Sequence, residues 1–266
     1  MTGFLRLFGA EAIRVARDSG KSCLLLARSA AYLGQIHRSR SMLLGALYNH
    51  LVKSFLVNAV VAVFAGMILS LQTGLELQRY GQESVLGTIV AIAMCREMGP
   101  FITGLILTAT VGSALAAELG TMKVSEEIDA LEVMSIDPER YLVMPRILSV
   151  AITCPILTVF SDLFGILGGA IVSQTQIGVT ADLFLNTARD ALETGDKWLG
   201  VPKDVYTGLV KALVFGVAIG TIGCGQGLRA QGGALGVGTA TTRSVINGFL
   251  IVIVLSYAMT SLFYRN

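Results

Sequence analysis

Five apolar segments, each long enough to cross a bilayer as a helix, dominate the 266-residue chain. About 20 apolar residues are needed to span the hydrocarbon core as a helix. Only 14% of the residues are charged, whereas soluble domains have about 25%. The sequence therefore predicts an all-α membrane protein with about five transmembrane helices, over residues 54–74, 86–117, 146–173, 207–227 and 244–264.

The second of these segments is longer than one span requires, and it is interrupted by Arg96 and Glu97. Proline at position 100 removes a backbone donor and crowds the preceding turn. We therefore expect one long helix that bends near Gly99 and Pro100. Splitting this segment into two helices would raise the number of spans from five to six.

The lysines and arginines predict the orientation of the chain. With five spans, the N-terminal region and the connectors 116–146 and 224–243 lie on one side, and they contain thirteen of these residues against five on the other side. Cytoplasmic segments carry the excess of Lys and Arg. The pattern places the N-terminus and the connector between spans two and three in the cytoplasm.

Residues 1–53 are too polar to span the membrane and form a separate N-terminal region ahead of the transmembrane domain 54–266. Phe4, Leu7, Phe8 and Val15 can share one helical face, with most of the arginines on other faces. This pattern is typical of a basic amphipathic helix lying at the membrane surface. A disordered basic tail is the alternative.

The connector ELGTMKVSEEIDALEVMSIDPERYLVMPR, residues 118–146, holds seven acidic residues. Val124, Ile128, Leu131 and Met134 recur at helical spacing, with acids on the other faces, which predicts an amphipathic helix over about 122–136. The apolar stripe needs the bilayer surface, a groove in another protein or the chain's own spans as its partner. The acids disfavour the anionic inner leaflet, so the sequence favours a protein groove. Packing against the chain's own spans stays open.

The same connector closely resembles the signature of the MlaE/YrbE-type permeases, membrane subunits of ABC transporters that work with MCE-domain lipid-binding proteins. The similarity continues through REMGP (96–100), GSALAAELG (112–120) and GLRAQGGALGVGTATTRSVI (227–246). It implies that the connector helix is a coupling helix that docks in a cleft of a cytoplasmic ATPase. The implied coupling residues are Glu118, Val124, Glu126, Glu127, Ile128, Asp129, Leu131, Glu132 and Met134.

The resemblance also implies an assembly and a cargo. A homodimer of permeases would sit on an ABC ATPase dimer in the bacterial inner membrane, with a hexamer of MCE proteins on the outer side. The cargo would be a phospholipid or a related lipid. ATP and Mg²⁺ would bind to the ATPase, so no cofactor, metal or catalytic residue is expected in this chain.

Ionisable residues at membrane depth are costly unless they are paired or wet. Adjacent positions on a helix point about 100° apart, so Arg96 and Glu97 are not expected to be merely each other's partner. They either line a lipid cavity or anchor the helix at the interface. The resemblance implies the cavity, with Leu69, Tyr80, Arg96 and Glu97 at the lipid pocket. Tyr80 can equally be an interfacial anchor, and Asp162 is expected to pair with Lys211 or to line a wet cavity.

Two other classes of membrane protein are alternatives to a transporter subunit. An intramembrane lipid-modifying enzyme or protease needs paired aspartates or a histidine dyad, and both histidines precede the first span. An ion-coupled secondary transporter usually shows repeated halves with matching broken helices, and the sequence has no such repeat. GGALGVG (232–238) lacks the Lys-Ser/Thr ending of a phosphate-binding loop, and the small net charge of +2 gives no reason to expect nucleic acid.

Overall fold

The computed structural model describes residues 40–194 and 201–264, together with Gly20, residues 24–29 and the strand residues Lys197 and Trp198. Within these residues the chain is almost entirely helical. Five helical segments are long and apolar enough to cross a membrane. This confirms the predicted all-α membrane fold with five spans. We number them span 1 (Ser41–Tyr80), span 2 (Glu83–Val124), span 3 (Glu139–Ile177), span 4 (Lys203–Gly227) and span 5 (Gly233–Tyr264).

Span 1 is a single helix, α1 (Arg40–Tyr80), of 41 residues. At a rise of 1.5 Å per residue it is about 60 Å long, twice the thickness of the hydrocarbon core. Its first turns include residues 40–53, which the sequence assigned to the N-terminal region. The polar side chains there did not interrupt the helix, because polar residues are compatible with a helix that extends beyond the apolar core of the bilayer.

Span 2 is one continuous helical rod, as predicted, but it is not a regular α-helix. Two π-helical turns interrupt it, and the first lies directly before Gly99 and Pro100, where the bend was predicted. Pro100 has no N–H to donate to the preceding turn, and π-helical turns accommodate such a break. Its parts are a 3₁₀ turn (Glu83–Val85), α2 (Leu86–Ala93), a π turn (Met94–Met98), α3 (Gly99–Leu107), a second π turn (Thr108–Gly112) and α4 (Ser113–Val124).

The remaining elements follow in chain order. The connector contains the short helix α5 (Glu127–Val133), and span 3 consists of a π turn (Glu139–Val143), α6 (Met144–Val172) and another π turn (Ser173–Ile177). Helix α7 (Ala181–Thr194) packs on α2. Strands β1 (Lys197–Trp198) and β2 (Val201–Pro202) pair antiparallel with Trp198 opposite Val201. Helices α8 (Lys203–Gly227) and α9 (Gly233–Tyr264) form spans 4 and 5.

Spans 1 and 3 form the most extensive helix pair in the described chain. Glycines bring the two backbones together, because a Cβ on Gly66 would lie 1.9 Å from the carbonyl oxygen of Gly165. A Cβ on Gly168 would likewise lie 2.4 Å from the carbonyl oxygen of Val63. Small residues at helix interfaces permit this close approach in membranes.

Span 5 is the outermost span of the single chain. Only 11% of its most apolar window is buried, against 50% for each of spans 2, 3 and 4. Leu250, Val254 and Tyr257 are exposed along it. The apolar surface of span 5 therefore faces lipid or another protein.

The helical stretch 24–29 contacts the connector. Leu25 is buried in the same apolar cluster as Ile128 and Leu142, and Arg28 Nη1 lies 3.2 Å from Glu139 Oε1. Phe4, Leu7, Phe8 and Val15, the proposed face of the N-terminal interfacial helix, lie outside the described residues.

Candidate functional site

Arg96 lies in the first π turn of span 2 and is bound by residues from the ends of spans 4 and 5. Its Nε and Nη2 atoms lie 2.9 Å and 2.8 Å from Asp204 Oδ1. Its guanidinium also lies over the ring of Tyr264, 4.1 Å from the centroid. The Tyr264 hydroxyl donates to Asp204 Oδ1 at 2.7 Å. About a third of the Arg96 side chain is still exposed, so a ligand can approach the guanidinium without unfolding the site.

Glu97 is bound by a different set of partners. Lys211 Nζ donates to Glu97 Oε1, the hydroxyl of Thr260 donates to the same oxygen, and Ser256 Oγ donates to Oε2 at 3.1 Å. Arg96 and Glu97 thus point to separate partners, as their adjacent positions on a helix predict. Both charges are compensated, which is how ionisable groups are tolerated at membrane depth.

Lys211 also satisfies a backbone group that the proline leaves free. Pro100 has no N–H for the carbonyl of Arg96, and Lys211 Nζ donates to that carbonyl at 2.9 Å. Lys211 Nζ donates further to Thr260 Oγ1 at 2.8 Å. The predicted bend in span 2 and the charged cluster are therefore parts of one arrangement.

An apolar groove opens beside this cluster, between span 2 and span 5. Its volume is about 450 Å³, and apart from Glu97, Ser256 and Thr260 its lining is hydrophobic or aromatic. Sites for small hydrophobic ligands typically have about 300–1,000 Å³ with a few placed polar groups. The groove is lined by Glu97, Met98, Phe101, Ile253, Ser256, Tyr257 and Thr260.

The other two predicted lipid-site residues lie elsewhere on the single chain. Leu69 is half-buried and packs against the apolar cluster that includes Leu86 and Met94. Tyr80 is the last residue of α1 and is 76% exposed. Neither lines the groove between spans 2 and 5. Their assignment to a lipid pocket stays a prediction.

The expected pair between Asp162 and Lys211 does not form. Lys211 is bound to Glu97, whereas Asp162 packs against Gly99, and its Oδ1 has no hydrogen-bond partner among the described residues. The prediction was wrong because Asp162 and Lys211 were matched by charge alone. Glu97 supplies the carboxylate nearer to Lys211. The carbonyl of Arg96, which Pro100 leaves without its helical donor, accepts a second hydrogen bond from Lys211.

Several residues of the cluster had escaped the sequence reasoning, although their spacing gives a signal. Ser256, Thr260 and Tyr264 recur every four residues, which places their hydroxyl groups on one face of α9. Asp204 and Lys211 are seven residues apart on α8 and share a face in the same way. Reading polar spacing within the apolar spans would have found both rows.

The connector differs in shape from the predicted helix over 122–136. The helix α4 continues to Val124, the chain then turns through Ser125, and Glu126 has a left-handed backbone with φ of 62°. The new helix α5 begins at Glu127 and ends at Val133, before a second left-handed residue, Ser135, with φ of 59°. The predicted stripe is therefore interrupted: Val124 ends α4, Ile128 and Leu131 lie on α5, and Met134 follows α5.

The connector stripe is divided between the inside and the outside of the chain. Ile128 is 2% exposed and belongs to the main apolar core, and Leu131 packs against that core. Val133 and Met134 are 86% and 61% exposed. The alternative that the stripe packs on its own spans is thus correct for Ile128 and Leu131. Val133 and Met134, with the acids around them, are the most exposed apolar side chains that the connector leaves for a partner.

The acidic residues of the connector remain accessible. Glu126, Glu127, Asp129 and Glu132 are all exposed, although Lys123 Nζ contacts Asp129 Oδ1 at 2.5 Å. Glu118 lies on α4, and its Oε2 is 3.7 Å from Nη2 of Arg146 in span 3. Val124 is half-buried at the end of α4.

Comparisons with known proteins agree with this architecture. The family model described as "Permease MlaE" matches residues 43–262. The chain is 30% identical to the intermembrane phospholipid transport system permease protein MlaE of Haemophilus influenzae, over 99% of this chain and 98% of that protein. It is 38% identical to a probable ABC transporter permease protein of Rickettsia conorii, over 79% and 78% of the two chains.

The chain is also similar to a chloroplastic protein. The protein TRIGALACTOSYLDIACYLGLYCEROL 1, chloroplastic, of Arabidopsis thaliana is 33% identical over 80% of this chain and 59% of its own length. The family model covers spans 2, 3 and 4, all but the ends of spans 1 and 5, the connector, and the charged cluster except Tyr264. The chain belongs to the MlaE family of ABC transporter permeases.

Proposed function

We propose that this chain is the membrane subunit of an ATP-driven transporter that moves phospholipid, or a related lipid, between the inner membrane and an MCE-domain carrier. The observation that carries the proposal is the groove between spans 2 and 5. Its apolar wall can hold acyl chains. Arg96 directly precedes Glu97, which lines the groove, and the Arg96 guanidinium is partly exposed. Guanidinium groups bind phosphate well because their donors match its oxygens.

The connector supports an external motor. Val133 and Met134 expose apolar side chains on a helix whose exposed acids give it a polar rim, and such a helix suits a groove in a partner protein. The partner that fits is a cytoplasmic ATPase, which would bind the ATP and Mg²⁺. Membership in an ABC permease family supports this assignment.

The exposed face of span 5 supports a second copy of the chain. An apolar face on the groove side would let two chains enclose the lipid between them, in a homodimer with one ATPase under each copy. The H. influenzae relative is the permease of an intermembrane phospholipid transport system, which supports phospholipid as the cargo; the MCE carrier on the outer side would receive or supply it. Leu69 and Tyr80 would reach the lipid only in such an assembly.

The lipid site is tested with Arg96→Gln. The purified complex is analysed by mass spectrometry for lipid retained per protomer, with Arg79→Gln as the control, because Arg79 is an exposed arginine at the end of span 1. We expect Arg96→Gln to reduce retained phospholipid at least fivefold, since a charge-assisted hydrogen bond contributes roughly 1.5–3 kcal/mol. Equal lipid in both variants would remove Arg96 from the lipid site.

Asp204 is expected to compete with the lipid phosphate for Arg96. Its carboxylate holds the guanidinium in the present structure, so a phosphate has to replace it. Asp204→Asn should therefore raise retained phospholipid two- to fivefold in the same measurement. A fall in retained lipid would show that Asp204 positions Arg96 instead of competing for it.

The two alternative functions predict other results. An ion-coupled transporter would move lipid in vesicles without an ATPase, in response to an ion gradient. An intramembrane enzyme would change the chemical structure of the lipid. Lipid transfer that requires the ATPase and returns the lipid chemically unchanged would exclude both.

A further inference from the structure

A second cavity lies at the other end of the spans, on the side of the connector. It is formed by α1, span 2 and the start of span 3, and its volume is about 270 Å³. It is separate from the groove at Glu97, with which it shares no lining residue. The polar residues that matter in its lining are Asn49, His50, Lys53, Thr110, Glu118 and Arg146.

The charge of this cavity is net positive. Lys53 and Arg146 are two permanent cations, and Glu118 is the one carboxylate in the lining. Glu118 lies 3.7 Å from Arg146, too far for the short bidentate pair that would neutralise the guanidinium fully. Lys53 is exposed and has no hydrogen bond or ion pair to any residue that the structure describes. The cavity therefore has donor capacity for an anion.

Of the two cations, Arg146 is held in place by the helices around it. Arg146 Nη1 donates to the carbonyl of Leu142 at 3.2 Å, and only 18% of its side chain is exposed. His50 Nδ1 lies 3.1 Å from Ser149 Oγ, which donates to the carbonyl of Arg146 at 2.7 Å. A cation with a fixed position loses little side-chain entropy when it binds a ligand.

The position of the cavity identifies the class of ligand. Lys53 directly precedes the long apolar run of span 1, so the cavity lies at the depth where lipid headgroups meet the hydrocarbon core. Leu44, Tyr48 and Val52 form an exposed apolar row on α1, one residue away from the lining row Gly45, Asn49 and Lys53. Acyl chains can follow this row while the headgroup enters the cavity. A volume of 270 Å³ is small for a whole lipid but suits a headgroup.

We infer that this cavity binds the phosphate of a glycerophospholipid in the connector-side leaflet, which the distribution of Lys and Arg assigns to the cytoplasm. Lys53 and Arg146 would contact the phosphate, and Asn49 and Thr110 would supply neutral hydrogen bonds. The site does not depend on lipid transport, since it requires only a phosphate at the surface of the bilayer. A soluble phosphate ester offers the same chemistry, and the experiment separates the two sources.

The test measures lipid binding to the full chain by native mass spectrometry. The chain carries Arg96→Gln, so that the lipid site proposed between spans 2 and 5 contributes little to the binding. The probes are dioctanoyl-phosphatidylglycerol, dioctanoylglycerol without the phosphate, and soluble glycerol 3-phosphate. Lys53→Gln is compared with Arg243→Gln, which removes one exposed positive charge on the same side of the membrane. We expect Lys53→Gln to weaken phosphatidylglycerol binding about tenfold, since a charge-assisted bond is lost, and Arg243→Gln to leave it within twofold.

Three results would overturn the inference. Equal weakening of phosphatidylglycerol binding by Lys53→Gln and Arg243→Gln would indicate that the lipid is attracted by general surface charge and not bound at a defined site. Equal binding of dioctanoylglycerol and phosphatidylglycerol would show that the phosphate is not recognised. Glycerol 3-phosphate that binds as tightly as the lipid, and depends on Lys53, would assign the cavity to a soluble ligand. Because Arg96 is already replaced, none of these results bears on the lipid site proposed between spans 2 and 5.

Discussion

At the scale of single residues, Lys211 connects the chemistry of the site to the geometry of the backbone. It is fully buried, and its ammonium group binds the Glu97 carboxylate, the Thr260 hydroxyl and the carbonyl of Arg96. Removing one partner of a buried ion pair costs about 3–5 kcal/mol because the other charge is left uncompensated. Lys211, in span 4, therefore connects span 2 at Arg96 and Glu97 with span 5 at Thr260.

Lys211→Met is expected to destabilise the chain by about 2 kcal/mol, below the range for a fully buried pair, because a third of the Glu97 side chain is exposed. The double variant with Glu97→Gln should recover part of the loss, since it removes the orphaned carboxylate. The free energy of unfolding in detergent measures both. Lys203→Met is the control, as Lys203 is an exposed lysine at the start of the same helix. A loss for Lys211→Met no greater than that for the control would contradict the role.

The residues of this cluster could be predicted only in part. Arg96 and Glu97 stand out because they interrupt an apolar segment, and their separate partners follow from helical geometry. The identity of those partners depends on how spans 4 and 5 pack, which one sequence does not contain. Charge matching alone paired Lys211 with Asp162, which was wrong.

At the scale of helices, glycines determine how closely spans 1 and 3 approach. A Cβ added at Gly66 would meet the backbone of Gly165, so it has no flexible side chain beside it that can move aside. Overpacking a close interface costs about 1–3 kcal/mol. Gly45, on the same helix, is exposed and has no atom within 4 Å of an added Cβ.

Gly66→Ala should therefore lower the free energy of unfolding by about 2 kcal/mol through overpacking. Gly45→Ala should raise it slightly, because alanine is favoured over glycine in helices by about 1 kcal/mol. Thermal unfolding of the two purified variants, compared with the parent chain, measures the difference. If Gly66→Ala were as stable as Gly45→Ala, the two helices would be packed less closely than described.

The connector is the element for which sequence and structure differ most. Helical spacing correctly indicated helix around Ile128, but it joined Val124 and Met134 into one stripe across two turns. The left-handed residues Glu126 and Ser135 are neither Gly nor Asn, the usual signals for this conformation. Neither break could therefore be predicted from the residue types.

The docking surface is tested by replacing Val133 and Met134 together with glutamate. Because both side chains are exposed, we expect the double variant to fold normally but to lose most of the bound ATPase on co-purification. Ile128→Glu is the contrasting variant, since a charge in the core should unfold or destabilise the chain itself. Full retention of ATPase by a folded Val133/Met134 variant would move the docking surface elsewhere.

At the scale of the whole molecule, the fold could be predicted well because the bilayer restricts it strongly. Five apolar runs of sufficient length predicted five spans, and the part of the chain that the structure describes has five. The ends of the helices were less predictable, since α1 (Arg40–Tyr80) includes residues that lie well before the apolar run. A second chain on span 5 and an ATPase on α5 would use surfaces that the single chain leaves exposed.

The most direct test of the account is lipid transfer by the chain reconstituted in vesicles with its ATPase and a lipid-binding acceptor. We expect phospholipid transfer that requires ATP hydrolysis, and that falls at least fivefold with either Arg96→Gln or the Val133/Met134 double variant. The Arg96 variant should keep its ATPase, whereas the connector variant should not. Transfer at an unchanged rate without ATP, or with the ATPase omitted, would contradict the account.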